Sequence, residues 1–397
     1  MITLNKHYNE LKGSYLFTHI AKKTAEYTEK NPGTHLLRLG IGDVTLPLCD
    51  AVVRALNKAA EDQSDISTFH GYMPECGADF LRAAIKGYYE KRNVSLLQEE
   101  IFVSSGASDE LGDILDLFSS DNTALIMEPA YPAYIDANII AGHNIEFVTA
   151  SPENEFTPLP DEKYDADIIY LCSPNNPTGA VFSKEKLQKW VDFANARKAL
   201  IIFDAAYEAF IEDESIPHSI FEIPGSRTCA IEISSLSKTA GFTGTRCGYT
   251  VIPAELERDG VTINSLWVRN RTTKTNGVSY IIQRGAEAIF TEEGQRQVHE
   301  NIAVYKKNAE ILMNALDDCS IPYCGGKNAP YIWMKCPEGM SSWELFDLML
   351  EKIQVVGTPG VGFGPAGEGY FRLSSFGRQE DILEAAQRIR LLMKSGI

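Results

Sequence analysis

Between residues 100 and 235 the chain alternates short apolar runs with segments of helical period, an order that few architectures accept. "EIFVSS" (100–105) has strand character, and "ASDELGDILDLF" after it sets Leu111, Ile114, Leu115 and Phe118 on one helical stripe. "TALIMEP" (123–129), "DIIYLCS" (167–173), "ALIIFDAAY" (199–207) and "CAIEISS" (229–235) continue the series. A segment that starts near Ser183 carries Leu187, Trp190, Val191 and Ala194 at helical spacing. Apolar strands separated by helices predict an α/β fold, with a mostly parallel sheet flanked by helices on both faces. Ligands of such sheets lie beyond the carboxyl ends of the strands, so the residues just after each apolar run become candidates for function.

The C-terminal part follows another pattern. Val298, Ile302, Tyr305, Ala309, Leu312 and Leu316 form the stripe of a long amphipathic helix. "APYIWMK", "IQVVGTPG" and "GYFRLSS" are shorter strand-like runs broken by Gly and Pro, and a last helix is expected from about Arg378. At 397 residues the chain exceeds the size at which one core stops growing. The expected division is a large domain over 46–289 and a smaller α+β domain of 1–45 with 290–397.

A net charge of −17 is a poor footprint for nucleic acid or an anionic membrane, and no run approaches the length of a membrane span. The N-terminal residues lack the apolar stretch of a signal peptide. Eight scattered cysteines without a C-x-x-C pair suit free thiols in a reducing cytoplasm, with no metal site.

Two short motifs invite other readings. "GFGPAG" (362–367) fits G-x-G-x-x-G, but Pro365 lies inside it and a strand-like run follows, where a dinucleotide site needs a helix. "SLSK" (235–238) fits the S-x-x-K of penicillin-recognising serine hydrolases, yet the K-T-G element of that family is missing. A hydrolase built on Ser235 and Lys238 stays as a distant alternative.

A constellation at the strand ends carries more. Asp204 closes "ALIIF", and Tyr207 follows three residues on. Asn176 lies in the turn "SPNNPTG"; Ala107 and Ser108 open a helix whose free N–H groups suit a phosphate. Lys238 follows a further strand, with Ser235 and Ser237 before it and Arg246 beyond. Pyridoxal phosphate asks for this set: an amine for its aldehyde, a carboxylate for its pyridine nitrogen, donors for its ring oxygen, and hydroxyls with an arginine for its phosphate.

With "SPNNPTG", "DAAY", "SLSKTAGFTGTRCGY" and "FRLSSFG" in this order, the chain resembles the fold-type I, class I/II aminotransferases over nearly its whole length. "GSYLF", "LGIGD", "HGYMPECG", "EPAYPAY", "FDAAYEAFI" and "TKTNGVSY" are similar to the branch of that family acting on LL-2,6-diaminopimelate. The resemblance implies a cytoplasmic homodimer that interconverts tetrahydrodipicolinate plus L-glutamate with diaminopimelate plus 2-oxoglutarate. It implies that Lys238 is the catalytic amine, that Asp204 pairs as an ionised carboxylate with the ring nitrogen, and that Tyr207 and Asn176 donate to the ring oxygen. Tyr131 would cover the ring. Ser235, Ser237, Arg246, Ala107 and Ser108 would hold the phosphate, with Tyr72 reaching in from a partner subunit. Arg372 would clamp the substrate α-carboxylate. Tyr15, Gly42, Glu75 and Asn276, with Tyr131 and Asn176, would contact the substrate, Glu75 facing the distal ammonium and part of the set coming from the partner.

Two positions depart from the branch: Ser108 stands where a lysine is usual, and Met73 where a glycine is usual. Both bear on substrate choice, so alanine, aspartate or aromatic amino acids, or carbon–sulfur lysis, remain alternative chemistry for the same cofactor.

Overall fold

The computed structural model describes residues 1–11, 16–40 and 42–394. Its larger sheet has seven strands: β1 (Ile101–Ser104), β2 (Thr123–Glu128), β3 (Asn144–Thr149), β4 (Ile168–Cys172), β5 (Leu200–Asp204), β6 (Ala230–Ser235) and β7 (Gly248–Val251). Their spatial order is β1-β7-β6-β5-β4-β2-β3. β7 runs antiparallel to both neighbours and every other pairing is parallel, so six strands end at the same edge. The fold is therefore the expected α/β type.

Side chains of β4 and β5 alternate cleanly between two cores, as the two-residue period of a strand requires. Ile168, Tyr170, Cys172, Leu200 and Ile202 pack with Leu111 and Tyr134 on one face. Ile169, Leu171, Ile201 and Phe203 pack with Leu187, Trp190, Val191 and Ala194 on the other. That second helix runs from Lys184 to Arg197, and Ser183 caps it by accepting the Lys186 N–H at 3.2 Å. Trp190 is fully buried, and its indole N–H donates to the Pro158 carbonyl at 2.9 Å.

Three details differ from the sequence pattern. The helix opening at Ala107 is α-helical only to Asp113 and tightens to a 3-10 turn over Ile114–Leu117, a usual way to end a helix that must turn back sharply. Phe118 falls outside it. β3 is an edge strand with four of its six residues exposed, so it lacks an apolar signature. β7 is four residues long and follows a glycine-rich turn, too short to register as a run.

The smaller sheet is antiparallel: β8 (Tyr323–Gly325), β9 (Tyr331–Lys335), β10 (Thr358–Pro359) and β11 (Tyr370–Ser374), in the order β8-β9-β11-β10. A short strand at Leu37–Arg38 pairs in parallel with Val355–Val356, and Leu37 and Leu39 pack among Ile332, Leu345, Phe346, Phe371 and Ile389. The long helix spans Glu292–Asp317. Its Val298, Ile302 and Tyr305 join the core beneath Leu236 and Phe242, while Ala309, Leu312 and Leu316 join that of the smaller sheet. The last helix is Gln379–Lys394.

"GFGPAG" forms two 3-10 turns and no helix. It wraps Glu128: a Cβ on Gly364 would lie 2.1 Å from Glu128 Oε1, and the Ala366 N–H donates to Oε2 at 3.1 Å. Its glycines let backbone close on the chain's own carboxylate. All eight cysteines are free thiols, and no described helix is long and apolar enough to cross a membrane.

Candidate active site

At the carboxyl edge of the larger sheet, a cavity of about 500 Å³ opens towards the smaller one. Gly42, Ala107, Ser108, Tyr131, Asn176, Asp204, Tyr207, Ser235, Ser237, Lys238, Arg246 and Arg372 all line it. The parallel sheet explains the convergence. Ala107 follows β1, Tyr131 follows β2, Asn176 follows β4, Asp204 ends β5, and Lys238 follows β6.

Lys238 sits in the short helix Leu236–Ala240, which Ser235 caps by accepting the Ser237 N–H at 3.1 Å. Lys238 Nζ donates to the Gly42 carbonyl. Burial, with the Arg372 and Arg246 charges, pulls its amine down to about 8 against the opposing pull of Asp43. Among the described residues Ser235 Oγ and Lys238 Nζ share no hydrogen bond, the contact a nucleophile–base pair requires. The S-D-N element that such hydrolases also carry is present at Ser120–Asn122, but it precedes β2 and so lies at the opposite edge of the sheet from Lys238.

Asp204 is buried. Its Oδ2 accepts from Tyr134 Oη at 2.5 Å and its Oδ1 from the Ala206 N–H at 2.9 Å. Burial pushes this carboxyl up, and the two donors oppose the push. A cation beside Asp204 would favour its ionised form further. Asn176, which also lines the cavity, accepts from Arg372 Nη1 at 2.6 Å through its Oδ1. Arg372, on β11, is 1 % exposed; its Nη2 donates to the Gly40 carbonyl at 2.9 Å, and its guanidinium lies 4.3 Å from the centre of the Tyr331 ring.

The third group surrounds Gly106, which adopts φ +124°. A Cβ there would lie 2.4 Å from Arg246 Nη2, so the guanidinium rests on bare backbone just before the Ala107 helix. Arg246 Nη1 also reaches Ser237 Oγ at 3.4 Å and the Thr243 carbonyl at 3.3 Å. Arginine, hydroxyls and a helix start at one point make a donor set for a phosphate. Among the described residues no group of three or more His, Cys, Asp or Glu could hold a metal ion.

Tyr72, expected at the phosphate from a partner subunit, and the residues expected at the far end of the substrate behave differently. Tyr72 is 89 % exposed, Asn276 is exposed, Glu75 is half-buried, and none of the three lines the cavity of its own chain. They do lie close in space: a Cβ on Gly277 would be 2.6 Å from the Pro74 carbonyl and 3.1 Å from that of Met73. Tyr15 lies outside the described residues.

Several cavity residues escape the sequence pattern. Tyr331 Oη meets Tyr207 Oη at 2.9 Å, and a Cβ on Gly42 would sit 2.6 Å from it, so glycine at 42 makes room for this tyrosine. Phe17, Ile20, Ala21 and Thr24 bring the helix Leu16–Lys30 over the mouth, and Arg38 lines it too. A second cavity of about 360 Å³ lies behind the Lys238 helix, but its Arg92 and Lys306 are engaged by its own Glu208 (3.7 Å) and Glu212 (2.7 Å).

Known proteins share this architecture. Residues 34–389 match the family model "Aminotransferase class I and II". An LL-diaminopimelate aminotransferase of Lachnospira eligens is 50 % identical over 99 % of this chain and 100 % of its own. One of Bacteroides fragilis is 49 % identical over 98 % and 99 %. The solved L,L-diaminopimelate aminotransferase of Chlamydomonas reinhardtii superposes with a TM-score of 0.93 at 38 % identity, covering 98 % of both chains. A match over nearly the whole chain, joined to a sheet edge that gathers an amine, a carboxylate and an arginine in one cavity, places this protein among the class I and II aminotransferases.

Proposed function

We propose that this aminotransferase is a cytoplasmic homodimer that uses pyridoxal phosphate to interconvert tetrahydrodipicolinate plus L-glutamate with LL-2,6-diaminopimelate plus 2-oxoglutarate. The observation that carries the cofactor is the amine of Lys238, held half-buried between Asp204, Arg246 and Arg372 in one cavity. The substrate rests on the names of relatives about half identical over their full length.

Pyridoxal phosphate, when bound, supplies an aldehyde for amines and a cationic ring that withdraws electrons from the carbon bearing the amine. The residues fit it. Gly106, Arg246, Ser237, Ser235, Ala107 and Ser108 form the phosphate cradle, and Asp204 offers a carboxylate for the ring nitrogen. Tyr207 and Asn176 offer donors for the ring oxygen, and Tyr131 covers a face. Lys238 Nζ exchanges a proton with the substrate Cα, a task suited to an amine near 8, whose neutral and charged forms are both accessible around neutrality. Arg372, oriented by Asn176 and Gly40, receives the α-carboxylate as a fork. Residues 46–289 act as the cofactor-binding domain and 1–45 with 290–397 as the smaller domain.

Diaminopimelate carries an amino acid head at each end, so the far end of the site must accept charge of both signs. Glu75 and Asn276 serve there, contributed in part by a partner subunit, as does Tyr15. Purified protein should absorb visible light, and Lys238→Ala should lose the covalently held chromophore. Mixing the coloured protein with LL-diaminopimelate, glutamate, alanine or phenylalanine should bleach it with the first two. Silence with diaminopimelate alongside reaction with phenylalanine would transfer the assignment to an aromatic aminotransferase.

A further inference from the structure

Behind Asp204 stands a tyrosine whose hydroxyl meets this carboxylate, with the Cys172 thiol beside both. Tyr134 is 4 % exposed and lies in the helix Pro132–Ala141, where its spacing reads as ordinary packing. Its hydroxyl donates to Asp204 Oδ2 at 2.5 Å. The ring is fixed from several sides. It stacks on Tyr170 with centroids 5.1 Å apart and planes 26° apart, and it meets Tyr131 edge-on at 5.7 Å. Tyr170 Oη accepts from Asn138 Nδ2 at 2.9 Å; that amide also donates to the Tyr134 carbonyl at 2.8 Å, and Asn138 Oδ1 contacts His143 Nδ1 at 2.7 Å. These contacts hold the Tyr134 backbone and the ring beside it, so the hydroxyl stays aimed at one oxygen of Asp204.

A proton shared by a buried carboxylate and a ring nitrogen settles on the more basic of the two. Burial makes a carboxylate more basic, and a hydrogen bond donated to it makes it less so. We infer that Tyr134 is a positioning residue: through its bond to Asp204 Oδ2 it keeps the shared proton on the ring nitrogen and off the carboxylate. Without it the proton moves to Asp204, the ring loses its positive charge, and its pull on electrons from the substrate Cα weakens. No atom is gained or lost; one proton changes owner. This inference rests on the pyridoxal-phosphate reading.

The test compares wild type with Tyr134→Phe, which keeps the ring and removes the donor. In cofactor-free protein, the infrared band of the Asp204 carboxylic acid, assigned by its loss in Asp204→Asn, should titrate about one pH unit or more higher in the variant. In protein loaded with ring-¹⁵N pyridoxal phosphate, the nitrogen resonance should move from the protonated towards the neutral range. kcat should fall about tenfold with KM for the amino acid unchanged, because Arg372 is untouched. An unmoved carboxyl titration and an unmoved ring nitrogen would overturn the inference and leave Tyr134 as packing. If Tyr134→Phe does not fold, 3-fluorotyrosine at 134, a more acidic donor, should move the Asp204 titration downward, and no movement would overturn it. A wild type that takes up no pyridoxal phosphate sinks the cofactor reading and this inference together, whereas an unchanged nitrogen in a loaded variant sinks this inference alone.

Discussion

Most residues expected to face the cofactor share one cavity of the single chain, whereas Tyr72, expected at the phosphate from a partner subunit, and residues expected at the far end of the substrate lie outside it. Lys238, Asp204, Asn176, Arg246 and Arg372 converge on one cavity, while Tyr72, Glu75 and Asn276 stay outside it, two of them exposed. The cofactor-facing positions are built by a sheet, whose parallel strands end at one edge whatever surrounds the chain. The distal positions sit on loops at 72–75 and 275–277, brought together by the bare backbone of Gly277. One set is gathered by folding of the single chain; the other lies outside the cavity that the same chain builds. Under the proposed function, that contrast would separate a chemistry common to the whole family from a substrate choice that needs a second subunit.

The contrast can be broken most sharply at Lys238 and Arg372. Lys238→Ala should abolish transamination outright. Arg372→Lys should lower kcat/KM roughly a hundredfold, since a point charge cannot reproduce the fork held by Asn176 and Gly40. The distal set is tested by mixing subunits. Glu75→Gln should slow the diaminopimelate half-reaction about tenfold or more and spare that with glutamate. Co-expressing Glu75→Gln chains with Lys238→Ala chains should restore part of the diaminopimelate activity if Glu75 acts in the partner's site. No recovery would place Glu75 in its own chain's cavity.

Smaller effects probe the edge of the cavity. Covalent uptake of pyridoxal phosphate should rise with pH through a midpoint near 8, because the neutral Lys238 amine is the reactive form. The same group sets a stability trend in the cofactor-free protein. Between about 8 and the ordinary lysine value the unfolded chain binds more protons than the native one, so stability should increase with pH in that window, and Lys238→Met should flatten the rise in thermal melts. Smallest of all, Tyr331→Phe removes the hydroxyl at 2.9 Å from Tyr207 and should cost about fivefold in kcat/KM, leaving melting within a few degrees.

What could be read in advance follows from where each residue lies. Asp204, Lys238 and Asn176 stand just beyond apolar runs, where a polar side chain contrasts with its surroundings. Tyr134 and Tyr331 were hidden because each lies within an element, in "EPAYPAY" and "APYIWMK", where a tyrosine looks like packing until a partner arrives from far along the chain. Tyr134 reaches Asp204 across 70 positions and Tyr331 reaches Tyr207 across 124, and no local pattern encodes such a meeting. β3 and β7 escaped for a plainer reason: one is exposed at the sheet edge and the other is four residues long.

The helix Glu292–Asp317 has a consequence for how the molecule comes apart. Its 26 residues make a rod about 39 Å long, rooted at one end in the core under Lys238 and at the other in that of the smaller sheet. Midway, the buried Asn308 donates to the carbonyls of Ser375 at 3.0 Å and Gly377 at 2.9 Å, tying the rod to the segment that follows Arg372. Neither core can melt without fraying the rod that the other depends on. The two lobes should therefore unfold in one transition, and a lesion deep in the smaller one, far from any reacting atom, should lower the single melting temperature read at either lobe.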